Sequence, residues 1–172
     1  LDSNGLFLTG NTDTVCSAVL LDLDRDGPTV VEIPPGCGPG TIIDTWFRFV
    51  VDTGAPGPDR GAGGRCVILR DDDDTTVVPD DVFVARSPSQ ANFLVVRGFL
   101  VDGKPDAATE MFRNGLKAYL LADADNPPEM EFISLSGKEF NTIHSNDATF
   151  FNEINELIQR EPIGVIDHET RG

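Results

Sequence analysis

Short apolar runs separated by glycine, proline and aspartate clusters dominate the first hundred residues. The runs are residues 15–21, 29–33, 45–51, 66–69, 82–85 and 93–101, and residues 129–135 form a further candidate strand. Runs of this length and spacing are typical of an antiparallel β-sandwich or barrel. Asp26-Gly27 lies between the first two runs. Because Asp-Gly is a strong hairpin signal, we predict that these two strands pair.

Two later segments have the spacing of helices. In residues 105–121 apolar side chains recur every three or four positions, and residues 147–161 have a broad apolar face. Asn146 or Asp147 is the predicted cap of the second helix, and Pro162 is its predicted stop. The predicted fold class is therefore mainly β, a β-sandwich with one or two helices near the C-terminus.

The net negative charge of the chain disfavours some classes of partner. The 172 residues have the length of one ordinary domain, and their formal net charge is -16, largely because lysine is scarce. A negative field of this size repels phosphate backbones and anionic lipids, so we predict no nucleic-acid partner. No run approaches the roughly twenty apolar residues that span a bilayer, so we predict no membrane insertion.

The sequence contains no complete metal-binding motif. Asp22, Asp24 and Asp26 begin like a calcium loop. However, the position six residues beyond Gly27, where a bidentate acid is required, is Ile33. The only two histidines are His144 and His168, and His168 lies in the polar last residues. A site with two imidazoles would therefore need a tail that folds back. We predict neither a metal nor a cofactor.

The three cysteines are Cys16, Cys37 and Cys66. They lack the paired two-residue spacing of a zinc site. Cys16 lies in an apolar run and Cys66 precedes one, which indicates small buried hydrophobic side chains rather than reactive thiols. Whether two of the three form a disulfide stays open from the sequence.

Two arginines lie among apolar strand residues. Alternation along residues 45–52 places Arg48 on the same face as Trp46, and Arg97 shares its face with apolar neighbours. An arginine in such a place must extend to solvent, pair with a carboxylate or bind an anionic ligand. Asp13, at the start of the first strand, is the predicted partner of such an arginine.

Two interpretations of these polar residues stay open. In the first, a buried aspartate–arginine network fixes the strand register. In the second, the residues form the polar floor of a pocket, where Asn11 and Thr12 donate hydrogen bonds and Arg48 or Arg97 holds a carboxylate. His144 is interpreted as a structural side chain that hydrogen-bonds the start of the last helix, with acid–base catalysis as the alternative.

Seven motifs, in order along the chain, connect it to a known family. They are Asn11-Thr-Asp-Thr-Val15, Leu21-Asp-Leu with Gly27-Pro28, Val31-Glu-Ile-Pro-Pro-Gly36, Trp46-Phe-Arg-Phe-Val50, Gly57-Pro-Asp-Arg-Gly61, Arg97-Gly-Phe-Leu-Val-Asp-Gly103 and Ile143-His-Ser-Asn-Asp147. Over nearly its whole length the chain resembles family 1254 of the domains of unknown function. The chain has Cys16 and Cys66 at positions where the family pattern has aromatic residues.

The resemblance implies a β-rich domain of jelly-roll type, usually followed in the same polypeptide by a domain of companion family 1214. It favours a periplasmic or extracellular location, because members are often exported bacterial proteins. The family has no accepted catalytic residues to carry over. Residues 1–162 are therefore the predicted sandwich domain, and residues 163–172 are a polar tail or a linker to a missing second domain.

The preferred hypothesis is a non-catalytic module that binds a ligand or packs on a companion domain or another subunit, and a homo-oligomer stays open. Such a module would expose an apolar patch where its partner docks. The alternative is a hydrolase or metal-assisted enzyme with a polar pocket around Asn11, Asp13, Arg48, Arg97 and His144. Its catalytic candidates are Asp13, Arg48 and His144, and its ligand-binding candidates are Asn11, Thr12, Arg48 and Arg97.

Overall fold

The computed structural model describes residue 11, residues 13–138 and residues 143–162. In this part of the chain eight strands form two four-stranded sheets, accompanied by two α-helices. The strands are β1 (Thr14–Asp22), β2 (Thr29–Ile33), β3 (Pro39–Asp44), β4 (Phe49–Gly54), β5 (Gly64–Arg70), β6 (Phe83–Ser87), β7 (Ala91–Phe99) and β8 (Lys117–Leu120). The helices are α1 (Asp106–Gly115) and α2 (Thr149–Arg160). The predicted tail, residues 163–172, lies outside the described residues.

The two sheets pack face to face around an apolar core. The first sheet has the strand order β1-β7-β3-β4 and is antiparallel, and the second has the order β6-β5-β2-β8. Side chains between the sheets are fully buried, such as Ile42 and Leu94 from the first sheet and Val31 and Ile68 from the second. Burial of each such side chain stabilises the fold by about 1.5–3 kcal/mol. The predicted mainly β sandwich is confirmed.

The predicted pairing of β1 with β2 is wrong. β1 pairs with β7, and β2 pairs with β5 and β8. The chain turns at residues 23–25 and Gly27 adopts a φ of +73°, but residues 23–28 carry the chain from one sheet to the other. β2 has apolar contacts on both of its faces, through Val31 on one side and Val30 on the other. A strand buried on both faces belongs in the middle of a covered sheet, which overrides the turn signal.

The prediction of antiparallel pairing fails at one further place, because β5 and β6 run parallel. Parallel neighbours need a crossover of about a dozen residues, and residues 71–82 provide it. Val78 and Val82 of this crossover pack on the outer side of the second sheet.

α1 is shorter than the sequence predicts. Helix is present up to Gly115, but Leu116 is extended, with φ −81° and ψ 124°, and β8 follows. Gly115 packs against Pro34, where an added Cβ would come within 2.6 Å of a proline carbon. β8 then pairs with β2 and completes the second sheet. This tertiary pairing overrides the helical spacing of residues 117–121.

α2 confirms the second predicted helix. The N-cap position is Ala148, so the predicted cap at Asn146 or Asp147 is wrong by one or two residues. The carboxylate of Asp147 accepts hydrogen bonds from the hydroxyl and the amide of Thr149 at 2.6 and 2.8 Å. These bonds lower the pKa of Asp147 below its usual range. Neither α2 nor any other helix in the described ranges is long and apolar enough to cross a bilayer.

Two other strand predictions need correction. Residues 45–48 form a turn, and the strands on either side of it are β3 and β4. The alternation that placed Trp46 and Arg48 on one face is therefore wrong. Residues 129–135 are described but form no strand, although Phe132 packs against the core. The other predicted strands are confirmed, with small shifts at their ends.

Acid is expected to destabilise the second sheet through Glu32. Burial raises the pKa of this carboxyl, but hydrogen bonds from Tyr119, at 2.6 Å, and from Lys117 outweigh burial, so the pKa lies below its ordinary value. Such a carboxylate stabilises the folded state above its ordinary pKa, and the contribution is lost as the pH falls through the lowered value. We expect the urea midpoint of Glu32→Gln to fall less than that of the unchanged chain between about pH 6 and pH 3.

Glu129→Gln is the matched control for this measurement, because Glu129 is exposed in an irregular segment. If Glu129→Gln flattened the pH dependence as much as Glu32→Gln, the role assigned to Glu32 would be refuted.

Candidate functional site

A tight hairpin joins β3 to β4 and contains the first candidate residue, Arg48. Its Nε donates to Oδ2 of Asp44 at 2.6 Å. Oδ1 of the same carboxylate accepts the amides of Trp46 and Arg48 at 2.9 and 2.8 Å, and the Asp44 side chain is fully buried. An aspartate–arginine pair therefore does fix the strand geometry here. Its acid is Asp44, so the predicted pairing of this arginine with Asp13 is wrong.

The hairpin ends in an aromatic tip formed by Trp46 and Phe47. The amide of Phe47 donates to the carbonyl of Asp44 at 3.0 Å, and Phe47 adopts the left-handed conformation with φ +60°. Three-residue hairpin loops have this form, usually with glycine at the left-handed position. Trp46 is 41% exposed and Phe47 is 83% exposed. The loop thus presents two aromatic side chains to solvent.

Arg97 lies toward the opposite end of the same sheet. It shares the outward face of β7 with apolar residues, as predicted, but this face is the solvent side and Arg97 is exposed. Asp44 lies opposite Asn92, and Arg97 is five positions further along β7, a separation of about 17 Å at strand spacing. Arg48 and Arg97 are therefore too far apart to hold one anion together. In addition, Arg48 is already bound to Asp44.

The N-terminal candidates form a local turn. Nδ2 of Asn11 donates to Oγ1 of Thr14 at 2.7 Å, and Oδ1 of Asn11 accepts the amide of Asp13 at 2.7 Å. The Asp13 side chain is exposed. Thr12 lies outside the described residues. This turn precedes β1 at the end of the sheet that is remote from the hairpin.

His144 lies before the start of α2. Its Nδ1 is 2.9 Å from the carbonyl oxygen of Ser145, and its ring centroid is 4.6 Å from that of Phe150. α2 is attached to the sheets at its other end, and a helix of this length spans about 18 Å. The candidates therefore lie in three separate places: the hairpin, the remote end of the first sheet and the start of α2.

Metal ligands do not converge in the described part of the chain. There, no three side chains of His, Cys, Asp or Glu come close enough to hold one metal ion.

A small cavity lies beside the Gly57-Pro-Asp-Arg-Gly61 motif. Its volume is about 10 Å³, close to that of one water molecule, and Thr53, Asp59 and Phe83 contribute to its lining. Oγ1 of Thr53 and Oδ2 of Asp59 are buried and have no hydrogen-bond partner among the described residues. A space of this size is far too small for an organic substrate.

The cysteines are free, and two of them are buried thiols. Cys37 and Cys66 are buried, whereas Cys16 is exposed, so the prediction of a buried side chain is wrong for Cys16. Burial, together with the nearby charge of Asp59, raises the pKa of Cys37 to about 11 and that of Cys66 to about 12. Both thiols are therefore protonated at neutral pH, in which form they are weak nucleophiles.

Glu161 attaches α2 to the first sheet. Its side chain is near the hairpin and the start of β7, and the residue is only 5% exposed. Oε1 accepts the hydroxyl of Thr45 at 2.7 Å and the amide of Ala91 at 2.9 Å, and Oε2 accepts the amide of Gln90 at 2.7 Å. Three donors therefore satisfy one buried carboxylate, and one of them comes from the hairpin loop.

The outward face of the first sheet carries a continuous apolar row. The strand register aligns Leu20, Phe93, Ile43 and Phe49, one residue from each of the four strands. Leu20 is 79% exposed and Phe49 is 68% exposed, and the two between them are half-buried. At ordinary strand spacing the row is roughly 15 Å wide. The solvent side of an antiparallel sheet is normally polar, so an apolar row on this side is unusual.

α2 presents a second apolar surface. Phe151, Ile154 and Ile158 recur at helical spacing on one face and are all exposed. The residues of α2 are all exposed or half-buried, so packing against the sandwich contributes little to holding the helix. Glu161 joins the C-terminal end of the helix to the strand ends beside the apolar row.

Sequence reasoning missed the three residues that organise this region, Asp44, Phe47 and Glu161. Asp44 had a signal, since aspartate favours the first position of a turn, but the apolar residues after it predicted one continuous strand. Phe47 had none, because aromatic residues are uncommon at left-handed positions. Glu161 binds backbone amides about 70 positions earlier in the chain, a contact that no local pattern indicates.

The fold is similar to that of a solved structure, the VPA0106 protein from Vibrio parahaemolyticus. The two share a TM-score of 0.65 at 17% sequence identity. The match covers 94% of this chain and 40% of the other, so the chain spans less than half the length of that protein. At this identity the likeness shows the fold alone. No curated protein shows significant sequence similarity to the chain.

A family match agrees with the motif resemblance. The family described as "Protein of unknown function (DUF1254)" matches residues 2–120. The matched range includes all eight strands, and hence both sheets of the sandwich. The match covers well over half of the chain and therefore shows the family. The chain belongs to DUF1254, a family of proteins of unknown function.

Proposed function

We propose that this chain is a non-catalytic β-sandwich module that packs, through the apolar row, on a further domain of the same polypeptide. The observation that carries this proposal is the exposure of Leu20 and Phe49 at the two ends of the row. Contiguous apolar surface on a folded domain marks an interaction site more often than it marks chance. Covering these side chains would stabilise a complex by about 1.5–3 kcal/mol for each one fully buried.

The comparison with the longer solved chain supports a domain of the same polypeptide as the occupant. In that protein 60% of the chain lies outside the matched fold, since the match covers 40% of it. The motif resemblance implies a companion domain of family 1214, which is the candidate for this role. A second copy of the present chain is a poorer occupant, because each copy has a formal charge of -16 and like charges repel.

The enzyme alternative has no comparable support. Its candidate side chains lie in three separate places, Arg48 is bound to Asp44, and the cavity beside Asp59 has the volume of one water molecule.

Hydroxyl-radical footprinting of the native polypeptide tests the proposal. Its intact mass is measured first, and we expect a value well above 18.6 kDa. Oxidation rates of Leu20 and Phe49 are then compared between the native polypeptide and the isolated 172-residue chain. We expect several-fold slower oxidation of both residues in the native polypeptide, because a docked domain excludes solvent from the row.

Phe83, a partly exposed phenylalanine of the second sheet, is the matched control and should oxidise at equal rates in both samples. A native mass of 18.6 kDa, or equal oxidation of Leu20 and Phe49 in the two samples, would overturn the proposal.

A further inference from the structure

We infer that the aromatic tip, Trp46 and Phe47, is a preformed anchor that inserts into an apolar pocket of the docked domain. This inference rests on the proposed function and adds to it the contact that carries the specificity. Aromatic side chains dominate the binding energy of many interfaces when they fill a pocket of the partner. The tip lies at the loop end of the hairpin whose strands contribute Ile43 and Phe49 to the apolar row.

The backbone of Phe47 is strained. Its φ of +60° is a conformation that glycine adopts without strain and that a bulky side chain adopts only at a cost. The side chain contributes little packing to the sandwich, because Phe47 is 83% exposed. A strained residue that the fold itself does not use is typical of a binding element.

The other left-handed residues of the described chain differ from Phe47 in residue type. In the described part of the chain, Arg60 and Asp102 are the other non-glycine residues with positive φ. Asp102 is of a type that tolerates this region well, and it lies in a turn before glycine. Phe47 is the aromatic residue among them. A three-residue hairpin loop requires a left-handed residue at this position, but glycine would adopt the conformation without strain, so the turn does not account for an aromatic side chain.

The loop that carries the tip is held rigidly by hydrogen bonds. On one side, the buried carboxylate of Asp44 holds the amides of Trp46 and Arg48. On the other side, Glu161 accepts the hydroxyl of Thr45 at 2.7 Å. The loop is therefore fixed by two buried acids before any partner binds. A preorganised element loses less conformational freedom on binding, which increases affinity.

The chemistry of the tip indicates the chemistry of its pocket. Asp44 and Arg48, which flank the tip in the chain, form an ion pair at 2.6 Å, and the tip presents two aromatic surfaces. A complementary pocket is apolar, with an acceptor for the indole N–H of Trp46. Phosphate and metal groups do not match such a surface.

The test uses Phe47→Gly in the native polypeptide and in the 172-residue chain. Glycine removes the aromatic side chain and the backbone strain together. In the 172-residue chain we expect an unfolding midpoint equal to or above that of the unchanged chain, which shows that the variant folds. In the native polypeptide we expect Leu20 and Phe49 to become oxidised several-fold faster, approaching their rates in the 172-residue chain, because docking weakens.

Asp102→Gly is the matched control, since it changes another left-handed residue to glycine in a turn away from the hairpin. It should leave the footprint of the native polypeptide unchanged. In the unchanged protein, oxidation of Trp46 and Phe47 should also be several-fold slower in the native polypeptide than in the 172-residue chain.

The outcomes separate this inference from the proposed function. If Leu20 and Phe49 are protected in the native polypeptide but Trp46 and Phe47 are not, the docking surface stands and the anchor is refuted. If Phe47→Gly leaves the protection of Leu20 and Phe49 intact, the anchor is also refuted. If neither pair is protected, both proposals fail.

Discussion

Replacing Glu161 by alanine is expected to release α2 from the sandwich while the two sheets stay folded. The substitution removes three hydrogen bonds to a buried carboxylate and leaves the amides of Gln90 and Ala91 without this acceptor. Hydrogen bonds to charged groups contribute about 1.5–3 kcal/mol each and do not add fully, so we expect α2 docking to weaken by about 2–4 kcal/mol. A released helix of this length is only marginally stable in water.

Hydrogen exchange measured by mass spectrometry checks this result. We expect the amides of α2 to exchange about 100-fold faster in Glu161→Ala, while those of β2 and β5 keep their protection. Glu156→Gln, at an exposed position of α2, is the matched control and should have little effect. Unchanged exchange in α2 would show that other contacts, such as the ion pair of Arg160 with Asp22, suffice to hold the helix.

Gly54→Ala is expected to destabilise the whole sandwich. Gly54 ends β4 with a φ of +68°, and a Cβ built there would overlap the carbonyl oxygen of Gly38. The neighbouring atom belongs to the backbone, so it cannot move aside by a rotamer change. We expect the free energy of unfolding to fall by at least about 3 kcal/mol, as the sum of the left-handed conformation and the steric overlap.

Gly27→Ala separates the two causes. Gly27 has a similar φ of +73°, but nothing lies within 4 Å of a Cβ built there. This variant should cost only about 1–2 kcal/mol, the cost of the conformation alone. Chemical unfolding of both variants measures the difference, and equal losses would show that the backbone near Gly38 relaxes more easily than its contacts indicate.

The position of most strands could be predicted from the sequence, but their neighbours could not. The apolar runs around β1, β2, β5, β6 and β7 were visible because side-chain alternation and burial leave a local pattern. β8 was hidden, because residues 117–120 also fit the spacing of the helix before them. Its pairing with β2 is a contact between distant parts of the chain, and local spacing carries no information about it.

The candidate site was likewise predictable only in part from the sequence. The sequence identified Arg48 as an arginine that must extend to solvent, pair with a carboxylate or bind an anionic ligand, and the structure shows a carboxylate pair. It did not identify Asp44 as that carboxylate, because residues 45–51 were assigned to one straight strand and the turn at residues 45–48 was not recognised. Glu161 could not be found at all, since its partners are two backbone amides and one hydroxyl from remote segments.

By itself, the sequence determined that this protein is a mainly β sandwich with a C-terminal amphipathic helix and a family resemblance that the family match confirms. Hydrophobic periodicity and ordered motifs are local properties, so one sequence is enough to reveal them. Only the tertiary structure decided that Leu20, Phe93, Ile43 and Phe49 form one row. That row depends on strand order and register, which are set by packing between residues far apart in the chain.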